Sequence, residues 1–371
     1  MSSISGTRRL YSTEAAVHLY SSPPTVLSPA DLYEVSAHPL FREALAGCNL
    51  YVVATRPRIL IDPIDFSVDQ ETLSGNFIVQ RPDGITHVPF QCELSRVHAG
   101  DGEPIEAIGI LPSGTHVVLV TTAGRSMIAA HILVGVAEAA LVDEDRDLEV
   151  LYVGQGIGRS TKRTAVDRLL RHSTLQRVLA EAVTFQPQHE ILLLLYRFEH
   201  GKVFASTGGD LNAEPIATLE EDRFHLDRVH RVKLDRRAIV SLAEAGLIRH
   251  FQPYFNIQVK GSDFTASRKL KVLERLLTQD ITGLIVEISS ANMRSRLRSP
   301  SAPPLDMAEL FDPAGLSAEH LETNDLKRRW AEELHLMSHT QYARFPLTNS
   351  HERDTFLHGM IWRGETGRKP L

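Results

Sequence analysis

The chain has 371 residues, 43% of them apolar and 23% charged, with a net charge of −6. That length exceeds one ordinary domain and predicts two or three, while the acidic balance excludes a uniformly basic nucleic-acid binder. Cys48 and Cys92 are the only cysteines and form neither a CxxC pair nor a Cys/His cluster, which argues against a structural zinc site and against a disulfide framework.

In chain order, residues 1–125 predict a β-rich N-terminal domain: a β-sandwich, a barrel or a small α+β unit. The runs LYVVATRPRILIDPIDF, GNFIVQRPDGITHVPFQCELSRV and EAIGILPSGTHVVLVTT alternate β-branched and apolar residues with hairpin-type turns. A short helix is expected before them, around DLYEVSAHPLFREALAG. The stretch contains no lysine, only arginine, and no catalytic constellation.

Residues 126–290 predict a mixed central domain. MIAAHILVGVAEAAL reads as an apolar strand or a helix, DEDRD as a solvated turn and LEVLYVGQG as a strand. RTAVDRLLRHSTLQRVLAEAV carries apolar residues at helical spacing with bases on the other face. HEILLLLYRFEH reads as a buried strand, followed by a hairpin-like insertion. RRAIVSLAEAGLIRHF reads as a helix stopped by Pro253. KLKVLERLL and TGLIVEIS add a helix and a strand, and residues 291–371 read as a linker and a helical C-terminal tail. The longest apolar run, ILLLLYRF, falls far short of the ~20 residues that cross a bilayer, and no apolar run follows a basic start. A cytoplasmic protein with no membrane partner is the expectation.

Charge is unevenly spread. Residues 151–277 hold 20 Lys/Arg against 14 Asp/Glu, while the rest of the chain holds 20 against 32. A basic middle in an acidic chain has the makings of a polyanion-binding surface. Within it lie the residue types that phosphodiester hydrolysis needs: groups to align and deprotonate water, cations to stabilise the phosphoryl oxygens, and a carboxylate to hold a divalent ion. Tyr152 ends a strand, and Gly154 behind it lets the backbone turn or approach a ligand closely. Arg163 and Arg168 can fork onto a phosphate, with Arg171 beside them. His172 follows Arg168 at i+4 on the expected helix. Glu244 stands among small and apolar neighbours, as a Mg²⁺ ligand would. Asn256 follows the Pro-Tyr-Phe turn. Taken singly, each has a plainer reading as a boundary residue, a solvated face or a turn former.

Taken in order, Tyr-Val-Gly, Arg-Leu-x-x-His, an apolar strand, Glu-Ala-x-Leu-Ile-Arg and Pro-Tyr-Phe-Asn resemble the GIY-YIG nuclease superfamily over about residues 126–260. The resemblance implies an α+β fold with a small antiparallel sheet flanked by helices. It also implies a DNA endonuclease using one divalent metal, Mg²⁺ or Mn²⁺. By position, Tyr152 matches the second tyrosine, Arg168 or Arg163 the helix arginine, and His172 its histidine. Glu244 matches the metal ligand and Asn256 the trailing asparagine. No GIY tripeptide occurs. If AAHILVGVA is the first strand, His131 stands where the first tyrosine belongs and serves as the base. The missing tripeptide leaves a non-catalytic nucleic-acid or nucleotide binder as the alternative, and an interaction scaffold as a third reading. The N-terminal domain and the tail remain for a protein partner or a second copy.

Overall fold

The computed structural model describes residues 8–69, 71–97, 104–156, 164–198, 200–206, 214–259, 267–305 and 323–347. The chain opens with strands β1 (Arg8–Arg9), β2 (Glu14–Tyr20) and β3 (Thr25–Leu27), helices α1 (Asp31–Ala37) and α2 (Pro39–Ala44), and strand β4 (Leu50–Pro57). A run of strands follows: β5 (Ile59–Asp69), β6 (Thr72–Arg81), β7 (Gly84–Glu93), β8 (Ile105–Ile110), β9 (His116–Thr121) and β10 (Gly124–Ala129). Helix α3 (Ala130–Val136), strand β11 (Glu138–Ala139) and the single turn α4 (Asp143–Arg146) close that run. Next come β12 (Leu148–Gln155), α5 (Ala165–Leu169), α6 (Ser173–Phe185), β13 (His189–Tyr196), β14 (His200–Ser206) and β15 (Glu214–Pro215). Helices α7 (Leu219–His230), α8 (Arg236–Phe251), α9 (Tyr254–Val259) and α10 (Ser267–Leu277) precede β16 (Ile281–Ser289) and β17 (Leu297–Arg298). Helix α11 (Asn324–Ser338) and strand β18 (Thr340–Pro346) are the last described elements.

The fold is mixed α/β, with several sheets and eleven α-helices among the described residues. Its centre is a five-stranded sheet in the order β17-β12-β4-β13-β3, in which β4 runs antiparallel to both β12 and β13. Alternation sets the two faces of β4. Leu50, Val52 and Ala54 join one core, Tyr51 and Val53 the other. The Tyr51 face packs on α1, α5 and α6. The opposite face packs on α8, whose far side meets a second sheet, β14-β2-β16-β18. Gly246 lets α8 come close there: a Cβ would lie 2.8 Å from Val286 Cγ2. Helix α8 is therefore buried nearly all round, which explains its Ala- and Leu-rich sequence without a polar stripe.

Strands β5–β11 with α3 form a third unit around a separate core that includes Ile61, Phe77, Leu119 and Leu133. The division at residue 125/126 does not coincide with the sheets. Strand β4 lies before the β-rich unit, yet it pairs with β12 and β13 beyond it. The β-rich unit is thus inserted between two neighbouring strands of one sheet. Antiparallel neighbours need no crossover, and lengthening the loop that joins them costs little entropy.

Four local expectations change. AAHILVGVA forms α3 rather than a strand, because Ala130, Leu133, Val134 and Ala137 bury one helical face. The DEDRD stretch is no solvated turn: Asp145, Arg146 and Asp147 are buried. The expected linker packs down, with β17 joining β12 and Leu297 and Ala302 buried. The tail is not wholly helical, since β18 pairs along β16. Among the described residues, no helix is long and apolar enough to cross a membrane.

Candidate functional site

The register of β4 against β12 sets Tyr51 directly opposite Gly154. A Cβ on Gly154 would lie 2.6 Å from Tyr51 Cζ and 2.8 Å from Tyr152 Cε1. Glycine is required so that the two phenol rings can close over the strand, not for an approach to ligand. The rings lie 6.2 Å apart, centroid to centroid. The His172 ring completes the group at 5.1 Å from Tyr152 and 5.9 Å from Tyr51. Tyr51 is the residue that reading the sequence missed. Its signal, a tyrosine inside the apolar run NLYVVA, lay about 100 positions before the strand it pairs with.

His172 reaches the site by a different route from the one its spacing suggested. Helix α5 ends at Leu169 and α6 starts at Ser173, with His172 extended between them as the N-cap of α6. Its Nδ1 accepts the Leu175 backbone N–H at 3.2 Å. That bond assigns the ring hydrogen of neutral His172 to Nε2, which donates to the Tyr152 hydroxyl oxygen at 3.4 Å. Helix α5 is fixed by a capping box between Thr164 and Asp167. Its Arg168 is exposed and acts electrostatically on the Tyr51 hydroxyl.

Glu244 sits on the buried helix α8, itself 9% exposed. A carboxylate there needs a partner, and Gln155, the last residue of β12, donates Nε2–H to Oε2 at 2.9 Å. The Tyr51 hydroxyl feels Tyr152, Arg168 and Glu244. Burial pushes its pKa well up, Tyr152 adds to the rise, Arg168 pulls it down, and Glu244 raises it again. Tyr51 is fully buried, and the Arg168 guanidinium is the group that reaches toward its hydroxyl, without a well-formed hydrogen bond. Its phenol stays neutral at physiological pH.

Asn256 spends both ends of its side chain on one residue. The Val153 N–H donates to Oδ1 at 2.8 Å, and Nδ2 donates to the Val153 carbonyl at 2.9 Å. It takes the place of a neighbouring strand on the open edge of β12, so it positions that strand rather than facing a ligand. The left-handed Gln252 and buried Pro253 turn the chain from α8 into α9 and bring Asn256 there.

The other sequence-derived residues fall elsewhere. His131 lies on α3 at the far end of the strands, near Asp31 and Arg56, where burial pulls its pKa down to about 4. It does not stand in for a first tyrosine, because its segment is a helix of the inserted unit. Arg171 is exposed at the end of α5, and no described contact joins its guanidinium to the site. Arg163 lies outside the described residues. Among the described residues, no group of three or more His, Cys, Asp and Glu gathers to hold a metal. No family model matches this chain, and neither the curated proteins nor the solved structures yield a match.

Proposed function

We propose that this protein is a metal-dependent DNA endonuclease working through a GIY-YIG-like site. The observation that carries the reading is the buried Tyr51 hydroxyl, within reach of the exposed Arg168 guanidinium and under the influence of Tyr152 and Glu244. The missing first tyrosine was the main support for a binder that had lost turnover. Tyr51, opposite Gly154 in the adjacent strand, removes that support.

In this reading the two phenols divide the work. Tyr51, neutral through burial, orients water or a phosphate oxygen by hydrogen bonding. Donation from His172 Nε2 stabilises negative charge on the Tyr152 oxygen, which makes that pair the proton acceptor. Arg168, exposed beside Tyr51, stabilises the phosphoryl oxygens. A buried carboxylate such as that of Glu244, which accepts from Gln155, suits Mg²⁺ or Mn²⁺, ions that take one or two protein carboxylates and keep several waters. Glu244 would hold the ion, which would offset charge on the phosphate and the leaving oxygen.

The test is nicking of plasmid DNA in Mg²⁺. Glu244→Ala should abolish cleavage while DNA binding persists. Cleavage by that variant at the wild-type rate overturns the assignment. Binding by the wild-type chain with no cleavage in either Mg²⁺ or Mn²⁺ identifies a binding module instead.

A further inference from the structure

Below Asn256, the open edge of β12 forms one wall of a groove of about 490 Å³. Its apolar surfaces come from Leu151 on β12, Phe185 at the end of α6, and Tyr254 and Phe255 on α9. Phe185 is 75% exposed and Tyr254 53% exposed, which is unusual for large aromatics with no described partner element over them. At the rim stand the neutral amides of Gln186 and Gln252 and the carboxylates of Glu149 and Glu181. Among the described residues lining the groove, none is basic. Arg177 beside the groove is committed: its guanidinium lies 5.7 Å from the Phe255 ring centroid and donates to Glu181 at 2.7 Å, while Arg298 on β17 sits opposite Glu149 in the strand register.

These chemistries select an occupant. Carboxylates without a lining cation repel phosphate. Aromatic faces accept a flat, weakly polar ring by stacking. Amides and carboxylates pair with ring carbonyls and exocyclic amines. The groove also adjoins the tyrosine site in the chain at two points: Leu151 precedes Tyr152, and Phe255 precedes Asn256, which grips Val153.

We propose that this groove receives an unstacked nucleobase from the strand whose phosphate lies at the Tyr51–Tyr152 site. The substrate is then DNA with an unpaired or extruded nucleotide beside the cut, as in a flap, a bulge or a single strand, rather than an undistorted duplex. The inference rests on the nuclease reading and names its substrate class.

The experiment uses the full chain with Phe185→Ala/Tyr254→Ala, both exposed side chains away from the tyrosines. The probes are a single-stranded oligonucleotide carrying 2-aminopurine and a fully paired duplex of the same sequence. Stacking should quench the 2-aminopurine fluorescence on the wild type. The double variant should lose the quench and bind the single strand about tenfold more weakly or worse, with duplex affinity unchanged. Unchanged single-strand affinity overturns the proposal, as does an equal loss on both probes or a wild type that binds neither. If the double variant instead abolishes a concentration-dependent self-association of the wild type and leaves the probes unaffected, a second copy of the chain occupies the groove, and the proposal fails. Glu244→Ala separates the two readings. It should keep the quench while losing cleavage, whereas a wild type that quenches but does not cleave in Mg²⁺ or Mn²⁺ retains the base site and discards the nuclease.

Discussion

The two ends of the β4–β12 strand pair are built from the same residue types and use them in opposite ways. At the end where the inserted unit departs, four arginines answer the protein's own groups, although Arg56 keeps a buried Nη2 without a described partner. Arg56 donates to Glu190 at 2.6 Å, Arg81 forks onto Asp145 at 2.7 and 2.8 Å, and Arg296 forks onto Asp147 at 2.8 Å. Arg146 donates to the carbonyls of Val134 and Ala139. At the Tyr51 end, Arg168 is exposed, a phenol is buried without a described hydrogen bond, and a carboxylate rests on a neutral amide. The first arrangement holds the inserted unit to the sheet. The second gathers a buried phenol, an exposed guanidinium and a buried carboxylate whose charges act on one another, as functional sites commonly do.

The largest effect should come from breaking the tied end. Arg81→Ala strands Asp145, which is 2% exposed, as a buried unpaired carboxylate. The expected cost is ~3–5 kcal/mol, read by urea denaturation. Cleavage per folded molecule should not change. A loss below ~1 kcal/mol would mean that Asp145 is solvated in the protein and the clamp is ornamental.

The site end should respond the other way. Tyr51→Phe removes a buried hydroxyl whose reach to the exposed Arg168 is at best a poor hydrogen bond, so stability should hold or rise slightly. Cleavage should fall at least ~100-fold if the hydroxyl orients the reacting groups. Wild-type turnover in Tyr51→Phe would reduce the ring to packing over Gly154. A large stability loss would mean that the hydroxyl has a structural partner, and the contrast between the two ends would collapse.

What the sequence disclosed follows from how local each signal is. Helix α8, its proline stop and Asn256 all lie within about 20 positions and were legible together, whereas the contacts that Glu244 and Asn256 make with β12 were not expected from their spacing. Tyr152 was legible as a candidate because Tyr-Val-Gly is contiguous. Tyr51 was not, because strand pairing carries no sequence mark across an insertion. Without it, the nearest apolar run upstream of β12 was assigned the vacant place, and that run is α3. The i+4 spacing of Arg168 and His172 implied one continuous helix, whereas the His172 side chain itself caps a new one. The basic excess in the middle of the chain was a poor guide as well. Many arginines across the molecule, Arg56, Arg81 and Arg296 among them, answer internal carboxylates, and sequence alone cannot tell those from arginines that await a phosphate.

Asn256 sharpens the comparison from inside the site, since it is the one polar side chain there whose described bonds are all to the protein's own backbone. Asn256→Asp keeps the size and the acceptor for the Val153 N–H but sets a carboxylate oxygen against the Val153 carbonyl. Stability should fall by ~1–3 kcal/mol, below the effect of Arg81→Ala, and cleavage should fall only as far as the Tyr152 strand loosens. Hydrogen exchange at Val153 would report that loosening directly, because its N–H is held by Asn256 and not by β4. If exchange there accelerates while the Tyr51→Phe protein exchanges at the wild-type rate, the two residues have separate tasks within a few ångströms. Asparagine then holds the strand, and tyrosine meets what binds to it. If both variants accelerate exchange equally, Tyr51 is part of the framework, and this end of the strand pair is not a site.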